Sequence, residues 1–245
     1  MASRQRRSYD QFCAVARALD HVSERWTLLI VRNLMLGPRR YSDLMAELPG
    51  ITTNLLAARL KAMEASAVIA REEGPPSRYA LTPLGAALEP VVVELGRWGA
   101  NFMDQPRRTD TINAGWGLLS LKRRYRGGVS AVVEFRMGDR RFELVFEDGH
   151  LHVKEREAVR PQLVVTGALE AFQAWLFKGV APSQLQRDGK LTADGDPAIW
   201  RAVQGAFRPN DWKSARDAQA RAGRSREEPA SSARRASSRE GSGTL

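Results

Sequence analysis

Cysteine and histidine are nearly missing from this chain. Its 245 residues include one Cys, at position 13, and three His, at 21, 150 and 152. A lone thiol cannot close an internal disulfide or build a cysteine-based zinc site. His150 and His152 share one face of a short segment, but no third ligand is evident, so they read as exposed histidines and no metal is expected. Long apolar runs are also missing. Val91 to Leu95 is the run that stands out, far short of the ~20 residues a membrane helix needs, and the Arg-rich start is not followed by the apolar core of a secretory signal. The expectation is a soluble, cytoplasmic protein without membrane insertion. No glycine-rich nucleotide loop, HExxH pair or nucleophile triad occurs, so neither enzymatic activity nor a cofactor is expected.

What is abundant is positive charge, a formal +10. Such an excess favours polyanionic partners. Its distribution is uneven: residues 1 to 104 hold 13 basic against 11 acidic groups, 105 to 211 hold 17 against 13, and 212 to 245 hold 8 against 4. Much of the excess therefore sits in the tail, and a nucleic-acid reading of the first segment has to rest on where its arginines are placed. The length suits two domains of ordinary size.

In the first segment, Phe12, Val15, Ala16 and Leu19 recur at helical spacing within Tyr9 to Val22. Glu24 to Leu36 is so densely apolar that it reads as the hub of a core, and Gly37-Pro38 stops it. After Arg39, Arg40 and Tyr41, a short helix spans Ser42 to Leu48. Pro49-Gly50 then turns the chain into a second helix, Gly50 to Ser66, with hydroxyl start signals at Thr52 and Thr53. This is a helix-turn-helix. Leu56, Leu60 and Met63 form the core face of the second helix. Asn54, Ala57, Ala58 and Lys61 form the other, which is small, polar or cationic, suits close approach to base edges and phosphates, and is flanked by Arg59. Val68 to Glu72 and Arg78 to Thr82 read as a hairpin around the Gly74-Pro75-Pro76 turn. A hairpin after a helix-turn-helix is a wing, and Arg78 sits at its tip. A long helix from Pro83 to about Met103 closes the segment, with more apolar stripe than a small domain can cover; part of it is expected to pair with a second copy.

The runs CAVARALDHVSERWTLLIVRNLMLGPRRYSDLMAELPGITTNLLAARLKAME and SRYALTPLGAALEPVV, with a final RWG, resemble the HxlR-type winged-helix regulators over some 90 residues. The motifs that carry the resemblance are W-T before the apolar helix, G-P-R-R-aromatic, P-G-I, L-x-x-R-L, Y-x-L-T-x-x-G and W-G, all in order. The resemblance implies a homodimer that binds a pseudo-palindromic operator in double-stranded DNA and controls transcription, with the first and last helices at the dimer interface. Carried over, Thr52, Thr53, Asn54, Ala57 and Arg59 match the groove-reading helix, Arg40 a backbone contact and Arg78 the wing; Arg39 and Lys61 complete the expected DNA-binding set. Two departures stand out. Ser23-Glu24-Arg25 replaces the family's Gly-Gly-Lys or Gly-Ser-Lys, and Asn54 replaces a frequent Lys, so the operator cannot be borrowed from relatives. Cys13 sits where some members keep a redox-sensing thiol. Its neighbours favour the alternative, a buried cysteine packed under the first helix.

DQPRRTD, residues 104 to 110, is polar and turn-prone, and a linker is placed over 105 to 111. Beyond it, Ile112 to Tyr125 reads as a helix ending in KRRYR, a solvated helix end. Three alternating strands follow as a meander, around Ala131 to Met137, Phe142 to Phe146 and Leu151 to Val153. A fourth covers Gln162 to Thr166, and then come helices at Leu169 to Phe177 and Pro182 to Leu185, a strand at Lys190 to Ala193, and a helix from Pro197 to Phe207. The run LVVTGALEAFQAWLFKGVAPSQLQRDGKLTADGDPAIWRAVQGAF, with its D-G-K-L-x-x-x-G-D-P-A-x-W core, is similar to the C-terminal half of sterol-carrier-protein-type-2-like domains. That similarity covers some 95 residues and implies an α+β layer with an apolar cavity for a hydrophobic small-molecule effector. Candidate lining residues are Trp116, Phe135, Phe142 and Phe146 from the first half, and Phe172, Trp175, Leu176, Phe177 and Trp200 from the second; plain core packing is the alternative for each. Asp196 followed by Pro197 reads as a helix cap, not a calcium loop.

Residues 211 to 245 are Ser/Ala/Arg-rich with almost no apolar anchor, and are expected to be a disordered basic tail. The fold class expected is thus a mainly α winged helix-turn-helix domain over 1 to 104, an α+β sterol-carrier-like domain over 112 to 210, and the tail. The function expected is a dimeric transcriptional regulator, a repressor, with an effector-binding C-terminal domain. The alternatives are an interaction or dimerisation protein without ligand, and a lipid-carrier-like protein on a winged-helix scaffold.

Overall fold

The computed structural model describes residues 8 to 103 and 107 to 208. The expected basic tail lies outside them.

Residues Ala14–Val22 (α1) and Thr27–Met35 (α2) open the first region. The second helix begins later than its apolar pattern, because Trp26 adopts a left-handed backbone (φ 81°) that a helix interior does not admit. Its Ile30, Val31 and Leu34 are fully or almost fully buried. Helix α3 covers Tyr41–Glu47 and α4 covers Thr53–Ala65. Thr52 caps α4, its Oγ1 accepting from the Leu55 N–H at 3.3 Å, and the Tyr41 hydroxyl donates to the Thr53 carbonyl at 2.8 Å. The α4 positions expected to face inward, Leu56, Leu60 and Met63, are at most 2% exposed.

Strands β1 (Ile69–Glu72) and β2 (Arg78–Leu81) pair antiparallel, with Glu72 opposite Arg78. Arg39 and Tyr79 exchange both backbone hydrogen bonds, at 2.9 and 2.7 Å, so the segment between α2 and α3 lies along the hairpin. The expected single long helix after the wing is corrected to three pieces: α5 (Pro83–Ala86), α6 (Glu89–Gly99) and a 3-10 turn over Ala100–Phe102. Pro90 is the physical reason. It has no N–H to give, and its ring would clash with the carbonyl four residues back, so the helix restarts around it. At Gly85 a side chain is excluded outright, since a Cβ there would stand 1.9 Å from the Val68 carbonyl oxygen.

In the second region Asn113 caps α7 (Ala114–Lys122), accepting from the Gly115 N–H at 2.8 Å. Strands β3 (Ala131–Met137), β4 (Arg140–Glu147) and β5 (His150–Lys154) form the expected meander. Strand β6 (Leu163–Gly167) then joins the far side of β3 in parallel, and β7 (Leu191–Gly195) pairs antiparallel with β6, giving the order β5-β4-β3-β6-β7. Helices α8 (Leu169–Leu176), α9 (Pro182–Arg187) and α10 (Pro197–Gly205), with α7, share one apolar core with the sheet's inner residues. Asp196 caps α10 as expected, accepting from the Ala198 N–H at 2.7 Å.

The outer face of the sheet carries two buried carboxylates, Glu134 and Glu143, directly opposite each other on β3 and β4. Like charges at such a pair repel unless each is separately satisfied. Here each is. Glu134 accepts from Arg136 and from the Ala158 N–H at 2.7 Å, and Glu143 from Arg156 at 2.6 Å. Their partners include residues of the connection between β5 and β6, which is thereby strapped across the sheet.

Candidate nucleic-acid interface and domain junction

Thr52, Thr53, Asn54, Ala57 and Lys61 are all exposed, so the face of α4 opposite its core stripe is open along its length. Extending the Arg39 to Tyr79 register by one residue sets Arg40 beside Arg78, and both side chains are exposed. Two cations thus flank one edge of the wing while small and amide side chains fill the helix face. That combination fits phosphate anchoring beside close groove approach.

Two expected members stand apart from this face. Arg39 is 8% exposed. Its Nη2 donates to Glu155 Oε2 at 2.5 Å and its Nε lies 3.5 Å from Glu47, so the guanidinium joins the two regions of the chain and is not presented to a phosphate. Arg59 is held by Glu24, Nη2 to Oε2 at 3.1 Å, with its side chain 16% exposed. Glu24 is one of the family departures, and the pair gives it a role: it neutralises an arginine whose Nε is buried under α4.

Cys13 corrects an expectation. It is exposed, standing at the N-cap of α1 instead of beneath it. The Ala16 and Val15 N–H groups hold its thiol below the ordinary value. On and beside α1, Phe12 and Val15 are exposed, and on and after α6 so are Val91, Leu95, Trp98 and Phe102, with Trp98 62% open and meeting Phe102 edge-on at 4.8 Å.

Of the candidate lining residues, most are packed into the core, the alternative reading given for each. Phe135, Phe142, Phe146 and Phe172 are at most 1% exposed; Phe135 and Phe172 stack at 5.0 Å, and Trp175 meets Trp200 edge-on at 5.3 Å. Leu176 is buried and Phe177 is half-buried against the same cluster. In this structure those rings are packed as in an ordinary protein interior. An open groove of about 380 Å³ lies elsewhere, between the end of β6, the start of α8 and Lys190 to Thr192. The KRRYR segment is likewise not a solvated end: Arg124 is buried and donates to the carbonyls of Leu176 and Arg208, and Lys122 pairs with Glu89.

Trp116 is the exception among the aromatics, and it marks the junction of the two regions. Its indole N–H donates to Asn33 Oδ1 at 2.8 Å, and the Arg32 guanidinium lies over its ring at 3.9 Å. Beside this contact the end of α2 is plugged into the second region. The Leu36 carbonyl accepts from the Glu155 N–H at 2.7 Å, the Met35 carbonyl from Lys154 Nζ at 3.1 Å, and both side chains belong to the second region's core. Cations suit the carbonyl end of a helix. Glu155 completes the lock by accepting from Arg140 at 2.7 Å as well as from Arg39. A second concavity, about 340 Å³, opens here; its walls include Trp26, Arg32, Glu47, Pro49, Asp110 and Trp116.

The geometry defines a winged helix-turn-helix protein whose central helix is fixed to an α+β layer. A model of the HxlR-like helix-turn-helix family matches residues 21–107, and one of the SCP-2 sterol transfer family matches residues 120–208. YvaP of Bacillus subtilis (strain 168), an uncharacterized HTH-type transcriptional regulator, is 36% identical over 92 residues, which are 36% of this chain and 85% of that protein. YodB, an HTH-type transcriptional regulator of the same organism, is 33% identical over 91 residues, 36% of this chain and 81% of its own. Among solved structures, reduced YodB is 30% identical and covers 40% of this chain and all of that one, with a TM-score of 0.34. The chain belongs to the HxlR-like helix-turn-helix transcriptional regulators, and carries an SCP2 domain behind the DNA-binding winged helix. No helix among the described residues is long and apolar enough to cross a membrane.

Proposed function

We propose that the protein works as a homodimeric repressor whose C-terminal domain conveys the presence of a hydrophobic small molecule to the operator. The observation that carries the dimer is the exposed apolar surface of α1 and α6, which a lone chain leaves in water. Pairing across those helices sets the distance between two copies of α4, and a two-fold arrangement of reading helices matches a pseudo-palindrome. Asn54, Thr53 and Ala57 supply sequence preference, while Thr52, Lys61, Arg40 and Arg78 supply backbone affinity. An effector acts only through unequal affinity for the two spacings of those helices.

Footprinting on the promoter beside the protein's own gene tests this. A protected pseudo-palindrome, weakened by Arg78→Ala and released by the effector, is the expected result; no protection at any salt concentration overturns it. For the C-terminal domain, an interaction module without ligand is a second reading, favoured by the closed packing of Phe135, Phe172, Trp175 and Trp200.

A further inference from the structure

The most unusual charge in the molecule is Arg32. Its guanidinium is half-buried at the junction, and it donates through Nε and Nη2 at 3.1 and 3.0 Å to Asn33 Oδ1, a neutral acceptor. Among the described residues no carboxylate comes within ion-pairing distance of it. A buried cation normally has an anionic partner, because taking it out of water costs several kcal/mol. Burial accordingly pulls its pKa down to about 10, with Glu47 opposing from a distance. The guanidinium carbon lies 3.9 Å from the centre of the Trp116 ring, and both residues line the 340 Å³ cleft. Trp26 adds a second aromatic wall.

We propose that this cleft between the two domains is the effector site, and that it takes a one- or two-ring aromatic anion. The ring slots against Trp26 and Trp116, and the carboxylate or phenolate provides Arg32 with its missing counter-charge through a charge-assisted hydrogen bond. A volume near the lower end of the range for ligand pockets suits a molecule of that size and excludes a sterol. The position also accounts for a regulatory effect. Leu48 and Pro49 form the wall just before Thr52, the cap of α4, while Trp116 belongs to the C-terminal domain. A ligand seated there touches both bodies at once and can favour one setting of the reading helix over another.

The site rests on the regulator reading only for its effect on DNA. Its test is calorimetric titration of the full chain with benzoate and naphthoate and, in parallel, with the uncharged amides of the same acids. At least one acid should bind, roughly tenfold tighter than its amide, as befits a hydrogen bond to a charged group. Arg32→Gln should abolish the difference between acid and amide. Trp116→Phe should weaken both forms. Two carboxylates line the cleft, Glu47 and Asp110, and Asp110 already accepts from the Arg107 N–H at 2.8 Å; Glu47→Gln, which removes the one whose charge acts on Arg32, should tighten acid binding several-fold, a gain that a damaged fold cannot imitate. Equal binding of acid and amide, or no binding below millimolar concentration, overturns the site. Acid binding lost to Trp175→Phe but indifferent to Arg32→Gln overturns it as well, by moving the ligand into the sheet layer. Failure of the footprint with acid binding intact would count against the regulator reading and leave the site standing.

Discussion

The two regions treat their apolar side chains in opposite ways. The winged helix leaves Phe12, Val15, Leu95, Trp98 and Phe102 in water on or beside α1 and α6, although its own core of Ile30, Val31, Leu44 and Leu56 is closed. The sterol-carrier-like layer hides its large aromatics and, beyond those, encloses two glutamates and an arginine. Apolar surface left in water is where a partner gains the most by binding. An apolar helix face that its own domain does not cover is a place for another chain, whereas rings packed against one another serve first to hold their own layer together.

Phe172→Ala should cost about 3–5 kcal/mol in denaturant unfolding, the usual loss for an aromatic cut out of a packed core; a loss under ~1 kcal/mol would mean that the ring lines an empty space after all. Trp98→Glu should leave the fold intact and weaken self-association by ~2 kcal/mol or more, about 30-fold in dissociation constant by sedimentation. An unchanged mass at all concentrations would break the assignment of that face. Glu155→Ala removes one carboxylate from two arginines, Arg39 and Arg140, and should lower stability by about 1–2 kcal/mol, less than a fully buried pair because the side chain is 22% exposed. If the two regions behave as one unit, a single thermal transition will shift; two separated transitions would show that the lock is weak.

Smaller effects concern the reading face and titration. Arg78→Ala and Lys61→Ala should each reduce the slope of log affinity against log salt by about 1, while Arg39→Ala should leave that slope unchanged. Two glutamates, one from each side of the comparison, should respond to acid with opposite signs. Burial pushes Glu134 up, but Arg136 and the Ala158 N–H outweigh it and hold the carboxyl below its ordinary value. Its contribution is present above the unfolded carboxylate value and is lost as pH falls through the folded one. Burial raises Glu47 despite Arg39. Its contribution is present below the unfolded value and is lost as pH rises through the folded one. Glu134→Gln should therefore flatten the acid limb of stability, and Glu47→Gln should relieve a penalty on its neutral side, both measured by chemical denaturation from pH 3 to 8 in steps of about one unit.

Much of this architecture was legible because it is local. The hydroxyl at Thr52, the 3.6-residue spacing of Leu56, Leu60 and Met63, the Asp196-Pro197 start of α10 and the alternation of β3 to β5 all concern residues within one turn or one strand of each other. The break at Pro90 was legible too, and a pattern of apolar residues alone passed over it. What escaped had long-range causes. Arg39 and Glu155 are 116 positions apart, and nothing in either neighbourhood announces the other. Arg59 looked like a phosphate contact from its place on the helix, but whether Glu24 reaches it depends on how α1, α2 and α4 pack. The parallel pairing of β6 with β3 depends on the strap between β5 and β6, held by carboxylates whose burial no periodicity reveals.

By itself the sequence determined the kind of modules, the helix that reads and the wing beside it, since capping, periodicity and turn chemistry act within a few residues. Packing between distant segments settled that Arg39 and Arg59 are held by carboxylates, that Cys13 faces outward, that Phe135, Phe142, Phe146 and Phe172 are closed inside the second region, and that Arg32 stands at the junction with no carboxylate in ion-pairing distance among the described residues. Those are outcomes of burial and of pairing between distant segments, and a charge or a ring takes its role from what is packed against it.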